Sequence, residues 1–155
     1  MLIIKYITLS VSLGFISWII GLLINANLME TEFYKKRLVN LNFIRSKWLN
    51  RVIGIGVFKW IVKNTFFRFF NQKITLKGSI RMSDLTTLRK EMTKSEIDHL
   101  IGFVFVMIFV VVKFASGNFL FGFIILVINI LMNLYPSLLQ QENKRRIDRL
   151  VNRWV

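Results

Sequence analysis

The chain has no cysteine, one histidine and one proline among its 155 residues, and only 8 acidic side chains against 22 basic ones. Without cysteine there are no disulfides, thiolate zinc sites, iron–sulfur clusters or thiol nucleophiles. A single histidine excludes a site built on several imidazoles. The lone proline, and the lack of any Ser- or Gly-rich stretch, argue against a flexible linker between domains. No internal repeat is visible, so residues 1–155 read as one membrane unit.

What is present separates along the chain. Apolar residues make up 54% of the sequence, yet the formal net charge is +14. A soluble domain rarely combines the two. Here one long apolar run opens the chain, two stand near its end, and a basic stretch lies between them. That arrangement is expected of an all-α integral membrane protein with about three transmembrane helices. It disfavours a soluble nucleic-acid binder.

The first run covers residues 6–28, long enough to cross a hydrocarbon core at about 1.5 Å per residue. Lys5 is its only flanking cation, and Ile24-Asn25-Ala26 is a poor cleavage site, so a retained span is expected rather than a signal peptide. The second and third runs, 99–115 and 119–139, flank Ser116-Gly117-Asn118, which reads as the turn of a helical hairpin. Cations crowd residues 30–98 and the tail 140–155, leaving Lys5 and Lys113 on the other side. The expected placement is a multi-pass protein of the cell membrane. Its N-terminus would lie outside, its middle segment and C-terminus in the cytoplasm.

The middle segment interleaves cations with Phe43, Trp48, Val52, Val57, Trp60, Phe66, Phe67, Phe69 and Phe70. Basic residues alternating with bulky apolar ones describe amphipathic helices lying on anionic lipid, with membrane lipids rather than nucleic acid as the partner. Gly54-x-Gly56 opens no strand-then-helix unit and is no phosphate fingerprint. Asp84 reads as a helix N-cap. Asn129 and Asn133 share a face of the third span, where they either bond a neighbouring helix or meet a substrate. Pro136 is expected to bend that helix. No acidic cluster has metal-ligand spacing.

His99 stands where the second span begins. On a continuous helix Glu96 faces it from three residues away, and Glu91 falls on the same broad face. A carboxylate pair with an imidazole at the membrane mouth suits general base catalysis, His99 accepting a proton and Glu96 orienting its ring. The plain alternative is an interfacial side chain with no chemistry.

At these positions the chain resembles the glycosyl-4,4'-diaponeurosporenoate acyltransferase family of staphyloxanthin-type carotenoid synthesis. The resemblance rests on Trp18 followed by Ala26-Asn27-Leu28, on Val57-Phe58-Lys59-Trp60, and on Glu91, Glu96 and His99. It extends to Pro136, Gln141, Asn143, Arg145 and Arg146 in the tail. The segment from about Asn64 to Met82 and the register of Gln141 against Asn143 depart from the pattern. The resemblance implies transfer of a fatty acyl chain to a sugar hydroxyl of a lipid-borne glycoside, with His99, Glu96 and Glu91 catalytic. Trp18, Asn27, Trp60, Asn133, Lys94, Arg145 and Arg146 are then expected to bind substrates. The donor would be acyl-CoA or a similar carrier, with no resident cofactor and no metal. Two non-enzymatic readings compete. One is a small adaptor or lipid-binding protein working through its basic aromatic segment. The other is a transporter subunit, for which three spans offer little.

Overall fold

The computed structural model describes residues 1–44, 46–64 and 82–153. The expected aromatic run Phe66–Phe70 lies outside them. Among the described residues the chain is helical throughout, with α1 at Leu2–Leu28, α2 at Lys47–Val52 and α3 at Ile55–Asn64. After these come α4 at Met82–Ala115, α5 at Phe119–Asn129 and α6 at Tyr135–Val151. A π-helical turn at Ile130–Leu134 joins α5 to α6 without a break. Three helices are long and apolar enough to cross a membrane: α1, α4 and the unbroken Phe119–Val151. They form the all-α membrane bundle that the composition demands.

The hairpin turn falls where its residues predict. Gly117 takes φ +73°, a left-handed conformation that costs glycine nothing, and α5 starts two residues later. By contrast, α4 is longer than a span. Its 34 residues reach about 51 Å, well past the ~30 Å hydrocarbon core. Residues 82–98 are therefore the first half of α4, continuing the membrane helix, and are not a separate helix lying on the surface.

Packing is inverted relative to a soluble bundle. Ile4, Ile16, Ile19 and Leu23 of α1, Val104, Ile108 and Val111 of α4, and Phe119, Leu120 and Phe123 of α5 face outward. The buried face of α1 is Ser10, Gly14, Ser17, Gly21 and Asn25, small residues at helical spacing that let backbones approach. A Cβ on Gly21 would overlap the Asp98 carbonyl oxygen, and one on Gly102 would stand 3.1 Å from that of Ser17. α1 thus crosses α4 almost backbone to backbone. An apolar cluster of Val106, Val110 and Ile125 seals the half of the bundle nearer the hairpin turn. There Tyr6 stacks on Phe121 at 4.3 Å, and Lys113 lies 5.4 Å over the Phe121 ring.

At the other end α2 and α3 dock on the start of α6. Ile55 packs with Leu138 and Leu139, supported by Ile53 and Phe58, and the Tyr135 hydroxyl donates to the Ile53 carbonyl. Trp48, Val52, Val57 and Trp60 turn away from the bundle and stay exposed, the amphipathic pattern expected of interfacial helices. Pro136 lies in the first turn of α6, just after the π turn. The wider turn is one of the ways a helix accommodates an interruption in its bonding ladder.

Two glycine substitutions separate close packing from open space. Gly21→Ala is expected to lower the thermal midpoint in detergent, through an over-packing cost of about 1–3 kcal/mol. Gly56→Ala, whose Cβ would meet nothing within 4 Å, should leave the midpoint unchanged or raise it, through a stability gain of up to ~1 kcal/mol. Equal midpoints for the two variants would contradict the close α1–α4 crossing.

Candidate functional site

Asn129, Asn133, Ser137 and Gln141 recur every fourth residue from the end of α5 into α6, and all four are buried. They line one face of a helix that runs antiparallel to α4. Lys144 continues the series one turn further. Against them α4 sets Glu96 and His99, and α1 sets Ser17 and Asn25. The result is a polar layer inside the bundle, between the apolar cluster near the hairpin turn and a second one at Leu85, Leu88 and Ile147.

Glu96 is fully buried. Gln141 Nε2 donates to its Oε1 at 2.9 Å, and Lys144 Nζ forms an ion pair with its Oε2. Both partners also hold the segment that follows α1. Gln141 Oε1 accepts from the Phe43 amide at 2.9 Å, and Lys144 Nζ donates to the Val39 carbonyl at 3.2 Å. A buried charge is tolerated only when paired and hydrogen-bonded, and here both conditions hold. Glu96 accordingly does not orient His99, contrary to the expectation from helical spacing. The two residues share a face, but the opposite helix offers the carboxylate a cation and an amide. Glu91 is exposed on α4, so it contributes no second carboxylate to this layer.

Asp98, Asn25 and Tyr34 form a second polar group. Asn25 Nδ2 donates to Asp98 Oδ1 at 2.7 Å and to the Lys94 carbonyl at 3.1 Å. The buried Tyr34 hydroxyl lies beside Asn25, Asp98 and Glu96. Burial, and then the charges of Asp98 and Glu96, push its pKa above the ordinary phenol value, so Tyr34 remains a neutral O–H donor. Asp98 went unread beside His99, and Asn25 entered only as part of a poor cleavage site, although the small residues at helical spacing along α1 were a signal for it. Tyr34 follows α1 in a short connection and carries no sequence signal of its own.

His99 is half-buried, with the Asn133 carboxamide beside its ring. Its Nδ1 is buried with no hydrogen-bond partner, as are Asn133 Oδ1 and Ser137 Oγ. Nε2 is not among the buried atoms without a partner. The imidazole thus turns Nδ1 into the bundle.

The remaining predicted residues scatter. Asn133 sits in the layer, its Nδ2 donating to Ser17 Oγ and Asn129 Oδ1. Asn129 Nδ2 donates to the Phe103 carbonyl at 3.1 Å, so both amides bond neighbouring helices. Asn27 is exposed and bonds its own helix at the Leu23 carbonyl. Trp18 faces outward from α1 and Trp60 from α3. Lys94 is exposed, and Arg146 pairs with Glu142 on its own helix. Arg145 is different. It binds Asn42 Oδ1 and the Ile44 carbonyl and lines a cleft of about 180 Å³ with Asn40, Asn42, Arg89, Lys144 and Asp148. With Lys144 paired to Glu96 and Arg89 to Asp148, Arg145 leaves the cleft one net positive charge. Arg89 in turn bonds Asp148 at 2.6 Å and Asn40 at 3.0 Å.

If the Glu96–Lys144 pair is a coupled unit, Lys144→Met alone strands a buried carboxylate and should cost about 3–5 kcal/mol. Adding Glu96→Gln should recover most of that loss. Thermal unfolding of the two single variants and the double variant in detergent checks this, and additive losses would contradict the coupling.

A family model described as glycosyl-4,4'-diaponeurosporenoate acyltransferase matches residues 30–153, which takes in every element from the π turn at Tyr34–Leu38 through α6. No curated protein and no solved structure matches the chain.

Proposed function

Because the chain belongs to the glycosyl-4,4'-diaponeurosporenoate acyltransferase family, we propose that it moves a fatty acyl group onto a sugar hydroxyl of a lipid-borne glycoside. The observation that carries this reading is the chain's single imidazole, half-buried, with Nδ1 turned inward beside the Asn133 carboxamide. A base must reach a substrate proton with one nitrogen while the other is held.

The apolar body of the acceptor lies against the outward faces of the bundle, and its sugar reaches His99 at the cytoplasmic side. Nε2 takes the hydroxyl proton as that oxygen attacks the acyl carbonyl of a thioester donor such as acyl-CoA. The new ester bond forms, the C–S bond breaks, and the departing thiolate takes the proton back from the imidazolium. No covalent enzyme intermediate is required. Holding both reactants at one interface removes much of the entropic barrier. Arg145, the cation of the cleft without a carboxylate partner of its own, suits a phosphate of the donor, a role for which Lys94 and Arg146 stand further out. Trp48 and Trp60, exposed beside Lys59 and Lys63, suit anchoring to anionic lipid. In the same reading the N-terminus lies outside the cell.

The exposed tryptophans also favour a second reading, a membrane adaptor without catalysis. Mass spectrometry of total lipids separates the two, using cells that contain the glycoside and make wild type or His99→Ala at matched membrane levels. Acyl transfer predicts a glycolipid heavier by one acyl chain, reduced by about 10²–10⁴-fold in the variant. Equal product from both proteins removes His99 from the chemistry. No such product from wild type favours the adaptor.

A further inference from the structure

The orientation of the Asn133 carboxamide is set by its neighbours. Ser17 has one hydroxyl proton, which it donates to the Gly14 carbonyl at 2.7 Å, so toward Asn133 its oxygen can only accept. Asn133 Nδ2 donates to it at 3.0 Å. Asn129 spends its own Nδ2 on the Phe103 carbonyl at 3.1 Å, which leaves its Oδ1 to accept the other Asn133 hydrogen at 2.8 Å. Both amide hydrogens of Asn133 are therefore committed, and its Oδ1 is left as a pure acceptor. That oxygen faces α4, 2.9 Å from where a Cβ on Gly102 would stand. Gly102 is one turn beyond His99 on the same helix face.

From this chain of bonds we infer that Asn133 Oδ1 accepts a hydrogen bond from His99 Nδ1–H and so fixes the imidazole in the tautomer whose Nε2 bears the lone pair. Both atoms are buried, neither has a partner within hydrogen-bond distance in the structure, and each supplies what the other lacks. The opposite tautomer sets two acceptors against each other in a buried site. Flipping the Asn133 amide to donate instead breaks both Nδ2 bonds and turns its oxygen toward Asn129 Oδ1 and a serine whose proton is already used. Either alternative leaves buried polar groups unpaired, which is costly. Asn133 is then a positioning residue acting through His99. This inference rests on the proposed role of His99 as base, but its geometry can be read without any acyl transfer.

With one histidine in the chain, ¹⁵N-histidine labelling gives a single imidazole. NMR of the full chain in phospholipid nanodiscs, at a pH where the ring is neutral, reports which nitrogen carries the proton. Wild type should show a protonated Nδ1 and an unprotonated Nε2. Asn133→Leu should move the ring to the Nε2–H form and lower kcat with little change in KM. Ser17→Ala, a milder change that frees the amide, should give a mixture of tautomers if the leucine variant does not fold. A wild-type ring protonated at Nε2, or an Asn133→Leu ring still protonated only at Nδ1, overturns the inference. Wild type with a protonated Nδ1, together with undiminished acyl transfer by His99→Ala, overturns the proposed function alone.

Discussion

The passage of α1 across α4 at Gly21 and Gly102 sets the geometry of the half of the bundle away from the hairpin turn. With no room for a Cβ between Gly21 and the Asp98 carbonyl, Ser17 and Asn25 are carried deep enough to meet side chains from both other long helices. Ser17 reaches Asn133, and Asn25 reaches Asp98. Small residues matter here because lipid tails are as apolar as leucine, so burying an apolar stripe drives little association between helices. Close van der Waals approach and interhelical hydrogen bonds must do so instead.

That constraint explains why the interior is polar. Within lipid a polar group has no water to fall back on, and each one must be satisfied inside the bundle. Much of the bundle's polar interior meets this rule through long-range closures, although Ser137 Oγ and Asn133 Oδ1 lack a partner. Asn129 bonds the α4 backbone, Glu96 bonds Gln141 and Lys144, and Arg89 bonds Asp148. Gln141 and Lys144 extend the closure to Phe43 and Val39, tying the connection after α1 to the base of α6. The buried carboxylate is thereby an organising element of the fold. His99 stands apart from these closures, its Nδ1 buried without a partner.

The three long helices and their turn were legible because length, hydropathy and Ser116-Gly117-Asn118 speak locally. The every-fourth-residue series from Asn129 was legible in part, as two amides on one face. The partner of Glu96 was not. Helical spacing sees only residues on the same helix, and it put His99 three positions away. The choice between His99 and Lys144 is made by tertiary packing, where a cation and an amide outcompete a neutral ring for a buried carboxylate. Glu91 failed for a related reason. A broad helical face spans enough arc for one end to be buried while the other is exposed, and α4 leaves Glu91 at the exposed end. Tyr34 had no periodic context, and its place is decided only by how the chain returns after α1.

Rigidity of the site comes from the same packing. A general base gains from a ring held in one orientation, and loops hold side chains poorly. His99 sits on a 34-residue helix pressed by α1 on one side and by the α5–α6 helix on another. Asn133 lies within the π turn. Such a turn inserts one residue more than an α turn and shifts the register of the helix beyond it, which often accompanies a functional position. Without the shift, the four-residue series through Ser137 and Gln141 would rotate relative to α4, and Asn133 and Gln141 would not face His99 and Glu96 together. The π turn and the α1 glycines are thus two solutions to one problem, bringing polar groups from three helices into register inside an apolar shell.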